Sequence, residues 1–161
     1  MIIQDEEEAD RSAIREVVTA AFGQSEEADL VDWLRADGDS VISLVAVDEG
    51  EIVGHVLFSR MKSALRALGM APVSVLPGRQ GSGIGSQLVR AGLERAAEEG
   101  WQAVFVVGEP DFYRRFGFDP ATAQGFSSPY SGPYLMAIAL DGVLAVATGR
   151  IEFAPAFARL G

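Results

Sequence analysis

The chain has 161 residues and a formal net charge of −10, with no cysteine and a single histidine. The absence of cysteine excludes disulfides, a thiol nucleophile and a thiolate metal site, and one histidine argues against a histidine-based metal centre. The acidic balance speaks against nucleic acid, which needs a basic footprint, and no apolar run approaches membrane-spanning length. The length predicts one domain, residues 1–161, with a full core. An anionic ligand would have to be held by local donors, whereas a cationic amine would be tolerated or steered inward.

The N-terminus, Met-Ile-Ile-Gln-Asp-Glu-Glu-Glu, lacks the basic-then-apolar layout of a signal peptide, so the expected location is cytoplasmic. Ile2 and Ile3 open an edge strand that the acidic run Asp5–Glu8 cuts short. Asp10 stands where a helix N-cap belongs; Ile14, Val17, Val18, Ala21 and Phe22 make one apolar face, and Gly23 stops the helix. Ser25 is the expected cap of a second helix, with Glu26 and Glu27 in its first turn and Leu30, Val31 and Leu34 inward. Val41–Val47 and Ile52–Phe58 read as an antiparallel pair around the turn Asp48-Glu49-Gly50-Glu51. Residues 59–69 are poorly patterned and lead into a strand over Met70–Leu76.

After that strand come Pro77 and a glycine-rich turn, Gln80-Gly81-Ser82-Gly83-Ile84-Gly85-Ser86, which opens a helix running to about Gly100. Glycines at alternate positions let the backbone take positive φ and let a ligand approach its N–H groups. A helix N-terminus adds unpaired donors and the positive end of the helix dipole, which together suit an anion. The turn lacks the Gly-Lys-Ser/Thr ending of a phosphate-loop ATPase. A dinucleotide fingerprint would put its third glycine at Ser86 and needs an acidic residue on a second strand. Ala103–Val107 is a continuous apolar strand, so strand, helix and strand form a crossover with parallel neighbours. Pro110 and Gly117 then bracket a helix of about two turns. Residues 119–133 read as a loop, Tyr134–Leu140 and Val143–Thr148 as a closing hairpin, and the Phe-Ala-Pro-Ala-Phe tail as packed on the body. The order predicts an α/β (α+β) fold, a mixed central sheet with helices on both faces.

Gln80-x-x-Gly83-x-Gly85 after a Val-x-Val-Leu-Pro strand resembles the acetyl-CoA pyrophosphate loop of the GNAT superfamily of N-acetyltransferases. Gly108-Glu109-Pro110-Asp111-Phe112-Tyr113-Arg114-Arg115-Phe116-Gly117-Phe118 is similar to a segment of its small bacterial members. The resemblance covers nearly the whole chain in element order and is sharpest over roughly residues 70–120. It implies the GNAT (acyl-CoA N-acyltransferase) fold, in which the strand before the loop splays from the strand after its helix and acetyl-CoA enters the gap. Pantetheine would bond to the main chain of Val73, Ser74 and Val75. The pyrophosphate would lie on the amides of Gly81, Ser82, Gly83, Ile84, Gly85 and Ser86, with Gln80 shaping the turn and Arg79 or Arg114 reaching phosphate.

The implied activity is acetyl transfer to a primary amine of a small molecule or peptide, in a ternary complex with acetyl-CoA as cosubstrate and no metal. The resemblance also implies Tyr113 beside the CoA sulfur as general acid, a role that a phenol of pKa about 10 suits at neutral pH. A strand N–H such as that of Val75 would face the oxyanion. Many members carry a glutamate on the strand before the loop; Val73-Ser74-Val75 has none, which leaves Glu109, Glu27 and His55 as candidates for deprotonating the amine. Phe22, Trp33, Phe126, Tyr130 and Tyr134 are candidate walls of the acceptor pocket. Transfer from another acyl-CoA and a CoA-binding regulatory module without turnover are the rival readings. Homodimers are common in folds of this kind.

Overall fold

The computed structural model describes residues 1–160. Its strands are β1 (Ile2–Asp5), β2 (Ser40–Asp48), β3 (Glu51–Arg60), β4 (Ala67–Val75), β5 (Ala103–Val107), β6 (Phe126–Ser127), β7 (Leu135–Ala139) and β8 (Gly149–Arg150). Its helices are α1 (Arg11–Phe22), α2 (Glu26–Ala36), α3 (Ile84–Glu98), α4 (Pro110–Tyr113) and α5 (Pro120–Ala123). Six strands make a mixed sheet in the order β1-β2-β3-β4-β5-β7, all antiparallel except the β4–β5 pair that α3 connects.

The period-2 alternation of the strands divides the core between two helical layers. Leu44, Ala46, Val56 and Phe58 point to one face and pack with Ile84, Leu88, Val89 and Ala96 of α3. Val45 points to the other, under Ile14 and Val18 of α1 and Ala28 and Val31 of α2. On that second face Leu57 meets Leu30 and Leu34 of α2 together with Ala154 and Ala156 of the tail. The expected mixed sheet with helices on both faces is the observed one.

Where β4 meets β5 the sheet opens. The two strands pair only over Ala67–Gly69 against Ala103–Phe105, and β4 then stays with β3 as far as Val75 opposite Gly54. Between Phe58↔Met70 and Val56↔Val73, β4 carries one extra residue, a bulge that bends it at Ala71-Pro72, whose peptide bond is cis. Past Gly69, β4 follows β3 and leaves β5.

Several expectations need correction. Asp10 makes no cap bond for α1; its carboxylate accepts instead from Glu7 N–H at 2.8 Å, closing a short 3-10 turn over Glu8–Asp10. Ser25 sits at the N-cap of α2 without a side-chain bond to it. β4 begins at Ala67, earlier than Met70, because Arg60 and Leu68 still pair. The 119–133 segment is not all loop: the Asp119 carboxylate accepts from Ala121 N–H at 2.8 Å and Pro120 opens α5. Val143–Thr148 forms no strand beside β7. The outer edge of β7 at Ala137 is already paired with Asp119, and Val143 is left 78% exposed. The chain pairs further on instead, Gly149 and Arg150 running parallel to Phe126 and Ser127.

α3 lies so close to the sheet that a methyl group at Gly92 would stand 2.1 Å from Phe58 Cε1. Gly92→Ala is therefore expected to destabilise the fold by about 1–3 kcal/mol through overpacking. This would lower the urea midpoint without changing the slope. A gain of about 1 kcal/mol, the bare helix-propensity benefit of alanine, would show that the ring yields freely.

Candidate active site

The opened strand exposes main-chain groups. Leu76 N–H donates to Val53 O at 2.9 Å, and an antiparallel ladder alternates. Ser74 is thus the residue bonded to β3, while the N–H and C=O of Val73 and Val75 turn toward the gap. The Val75 carbonyl accepts from Gln80 Nε2 at 3.1 Å, tying the glycine loop back to the strand.

Beyond this tie the loop makes a cradle. Gly81 and Gly83 hold φ of 82° and 87°, values that a side chain would strain, and Gly83 is the N-cap of α3. The first intrahelical bond runs from Gln87 N–H to Gly83 O, which leaves the N–H groups of Ile84, Gly85 and Ser86 outside the helix ladder. Val73, Val75, the loop and the first turn of α3 line a cleft of about 500 Å³, closed on its far side by Phe112, Tyr113 and Arg115.

Tyr113 reaches the gap at the end of α4, which Pro110 starts directly after β5. Its ring meets Phe112 and Phe118 edge to face, with centroids 4.9 and 5.9 Å away. The approach to the strand end is so close that a methyl at Gly108 would stand 2.5 Å from Tyr113 Cε2. Burial pushes the phenol pKa up from its ordinary value, so the hydroxyl keeps its proton at neutral pH. A second cavity, about 380 Å³, lies beyond it and is walled by α1, α2, β4, β5 and the C-terminal segment. Val73 and Tyr113 line both cavities.

The remaining candidates are dispersed. Ser74 faces away from the cleft, opposite His55, with its hydroxyl buried and unpartnered. Ser82 bonds its own turn at Arg79 O and does not line the cleft. Arg79 does, but its guanidinium is held by Asp48 at 2.6 Å. Arg114 lines a different cavity, beside Asp119 and Phe126, and Arg115 takes the place expected of it, its guanidinium 4.5 Å from the Phe112 ring centre. Glu109 is exposed at the N-cap of α4 and lines neither cavity, whereas Glu27 lines the second. Of the expected acceptor walls, Phe22 and Tyr130 line that cavity. Trp33 packs beside Leu30 and Leu34, Phe126 is buried edge-on to Phe105 at 5.3 Å, and Tyr134 is 52% exposed. Sequence reasoning missed Arg115 and the tail residues Phe153, Phe157 and Leu160, which close the second cavity. The only signal was the aromatic character of the tail.

His55 stands apart from the gap, fully buried under α1 and α2. Its Nε2 lies 2.8 Å from Ser43 Oγ, and Ser43 in turn donates to Glu6. Nε2 and Glu6 are themselves 3.7 Å apart. Arg35 binds Glu6 from α2 at 2.8 Å. Burial holds the His55 pKa below its ordinary value despite the nearby Glu6 carboxylate. Burial also pushes Glu6 up, but the surrounding His55, Arg35 and Ser43 outweigh it and hold Glu6 at about 2.

An opened sheet, a helix-borne amide cradle at the opening and a tyrosine between two cavities are the arrangement of an acyltransferase, and residues 5–118 match the acetyltransferase (GNAT) family. The chain belongs to that family. Among its relatives is YjhQ of Escherichia coli K12, an uncharacterized N-acetyltransferase, 43% identical over 136 residues that cover 79% of this chain and 75% of the relative. YhbS of the same organism, also an uncharacterized N-acetyltransferase, is 36% identical over 99% of both chains. The crystal structure of YhbS in complex with CoA superposes with a TM-score of 0.92 at 34% identity, over 99% of this chain and 93% of that one. A GNAT acetyltransferase from Brucella melitensis in complex with acetyl-CoA gives 0.81 at 32% identity over 97% of each.

The buried network makes stability acid-sensitive in two stages. His55 takes up a proton more readily when unfolded, so its contribution is present above its ordinary pKa of 6.5 and is lost as pH falls below that value. Glu6 contributes fully above 4.5 and loses that contribution as pH falls toward 2. Thermal melting followed from pH 7.5 down to 3 should show Tm falling from about 6.5 and more steeply below about 4.5. His55→Gln should flatten the upper stage and also weaken the lower one, because His55 is the first of the partners that hold Glu6 down; a wild-type Tm constant from pH 7 to 5 would dismiss the argument.

Proposed function

We propose that this chain transfers the acetyl group of acetyl-CoA to a primary amine by direct attack in a ternary complex. The observation that carries the reading is the sharing of Val73 and Tyr113 by two cavities, one rimmed by free amides and the other largely apolar. Relatives solved with CoA and with acetyl-CoA support the choice of cosubstrate. The cradle fits a diphosphate: Ile84, Gly85 and Ser86 offer N–H groups at a positive helix end, and the positive-φ glycines leave room for a close approach. In a chain of net charge −10, such local donors are what can hold an anion.

The free N–H groups of Val73 and Val75 would bond pantetheine and stabilise the carbonyl oxygen as it gains charge. The acceptor enters from the second cavity as an ammonium and gives up one proton toward solvent past Glu27, the one carboxylate there among the described residues. The nitrogen lone pair then forms the new bond to the carbonyl carbon, and the carbon–sulfur bond breaks. Tyr113 donates its phenolic proton to the leaving sulfur and recovers one as the nitrogen loses its second proton. The products are an amide, free thiol and one released proton. Of the three carboxylate and imidazole candidates, Glu27 is favoured by position; His55 is fully buried under α1 and α2, and neither it nor Glu109 lines either cavity.

Tyr113→Phe should cut kcat for thiol release by about 10²-fold or more while the Kd for CoA stays within about twofold of wild type. Unchanged turnover would remove the tyrosine from its role. Gly83→Val should weaken CoA binding by about tenfold or more with melting temperature nearly kept, since only the loop is strained. An unaltered Kd would dismiss the amide cradle. A chain that binds CoA yet releases no thiol with any amine or acyl-CoA would be a binding module.

A further inference from the structure

The cavity beyond Tyr113 has a chemistry of its own. Phe22, Val107 and Tyr130 are large apolar side chains left 43, 44 and 44% exposed, and all three converge on it from separate elements. Phe22 ends α1, Val107 ends β5, and Tyr130 comes from the segment before β7. Exposed apolar residues scattered singly need no explanation, but a group gathered around one cavity marks a binding surface. Pro72 of β4 and Phe153 and Phe157 of the tail continue the apolar wall.

One charge interrupts it. Glu27 is the only charged residue lining this cavity among the described residues. Its carboxylate oxygens meet only Gln24 Nε2, at 3.0 and 3.2 Å. Its helix neighbours Asp29 and Asp32 are instead held by Arg15 at 2.7 and 2.8 Å. A carboxylate at the edge of an apolar wall, with no cation of this chain upon it, is placed to receive the cation of a ligand.

The geometry points to a hydrophobic primary amine as acceptor, with one ammonium facing Glu27 and an aryl or alkyl body against the aromatic wall. This rests on the acetyl transfer proposed above and narrows its acceptor. A polyamine would bring a second cation, and an aminosugar several hydroxyls, against Pro72, Phe153 and Phe157, which offer no partners. A cavity of about 380 Å³ is of small-molecule size. Acetylation removes the charge, so the amide product loses its attraction to Glu27 and is released more easily than the amine is bound. The net charge of −10 draws a cationic acceptor inward and does not hold the neutral product.

The test compares phenethylamine and hexylamine with spermidine and glucosamine at saturating acetyl-CoA, reading thiol release. In parallel, phenethylammonium, hexylammonium, spermidine and neutral 2-phenylethanol are titrated calorimetrically into the CoA-bound protein. The two hydrophobic amines should exceed spermidine and glucosamine in kcat/KM by about tenfold or more. The CoA-bound wild type should favour phenethylammonium over 2-phenylethanol, and Glu27→Gln should abolish that preference without altering CoA binding. Spermidine or glucosamine turning over as well as phenethylamine would overturn the acceptor class and leave acetyl transfer standing. So would CoA-bound protein that binds neither hydrophobic ammonium more tightly than spermidine, whatever the turnover. Glu27-dependent preference for phenethylammonium without thiol release from any amine would uphold the pocket's chemistry and remove the transfer reading instead.

Discussion

The parting of β4 from β5 beyond Gly69 and Phe105 is the constraint on which the rest depends. A sheet interior normally satisfies every N–H and C=O, so a strand that leaves its neighbour must find other partners. β4 finds them on one side in β3, as far as Leu76 bonded to Val53, and on the other only in the Gln80 side chain. The main-chain groups of Val73 and Val75 that remain face a cleft whose far wall is Tyr113. The unfilled helix end of α3 stands at the mouth of that cleft. Two sets of unmet main-chain donors, one from a strand and one from a helix, thus point into the same space.

The two faces of the sheet carry separate tasks. Toward α3 the packing is apolar and close enough to demand Gly92 against Phe58 and Gly54 against Leu88 and Ile84. This fixes the axis of α3, and with it the position of the free amides relative to β4. Under α1 and α2 lies the ionic chain of Arg35, Glu6, Ser43 and His55. It joins the end of β1 to the middle of the sheet, and its groups line neither cavity at Tyr113. His55 therefore reads as a buried, neutral part of the scaffold, in agreement with its lowered pKa.

Short-range signals were the legible part of this molecule. The apolar run Ala103–Val107, the helical spacing after Gly83, the Pro110 start and the Gly117 stop each depend on neighbours in the chain, and each appears where expected. The cradle was legible for the same reason, since positive-φ glycines, a strand and a helix start are contiguous. Local reading failed where a distant partner decided. Val143–Thr148 is apolar enough for a strand, but Asp119 already holds the edge it would need. Asp10 fails for a nearer reason: it has the right chemistry for a cap, but the N–H of Glu7, three residues back, takes its carboxylate.

The sequence by itself determined the order of elements from β1 to α4, the mixed sheet and the amide-bearing turn at the start of α3, because those follow from periodicity and from residues adjacent in the chain. Only the tertiary structure decided which side chains share a cavity. Arg115 rather than Arg114 reaches the cleft, Glu27 rather than Glu109 or His55 reaches the second cavity, and the tail brings Phe153 and Phe157 to it. The physical reason is that a side chain's direction is set by strand alternation and helix phase. The company it keeps is set by the packing of elements more than a hundred residues apart in the chain.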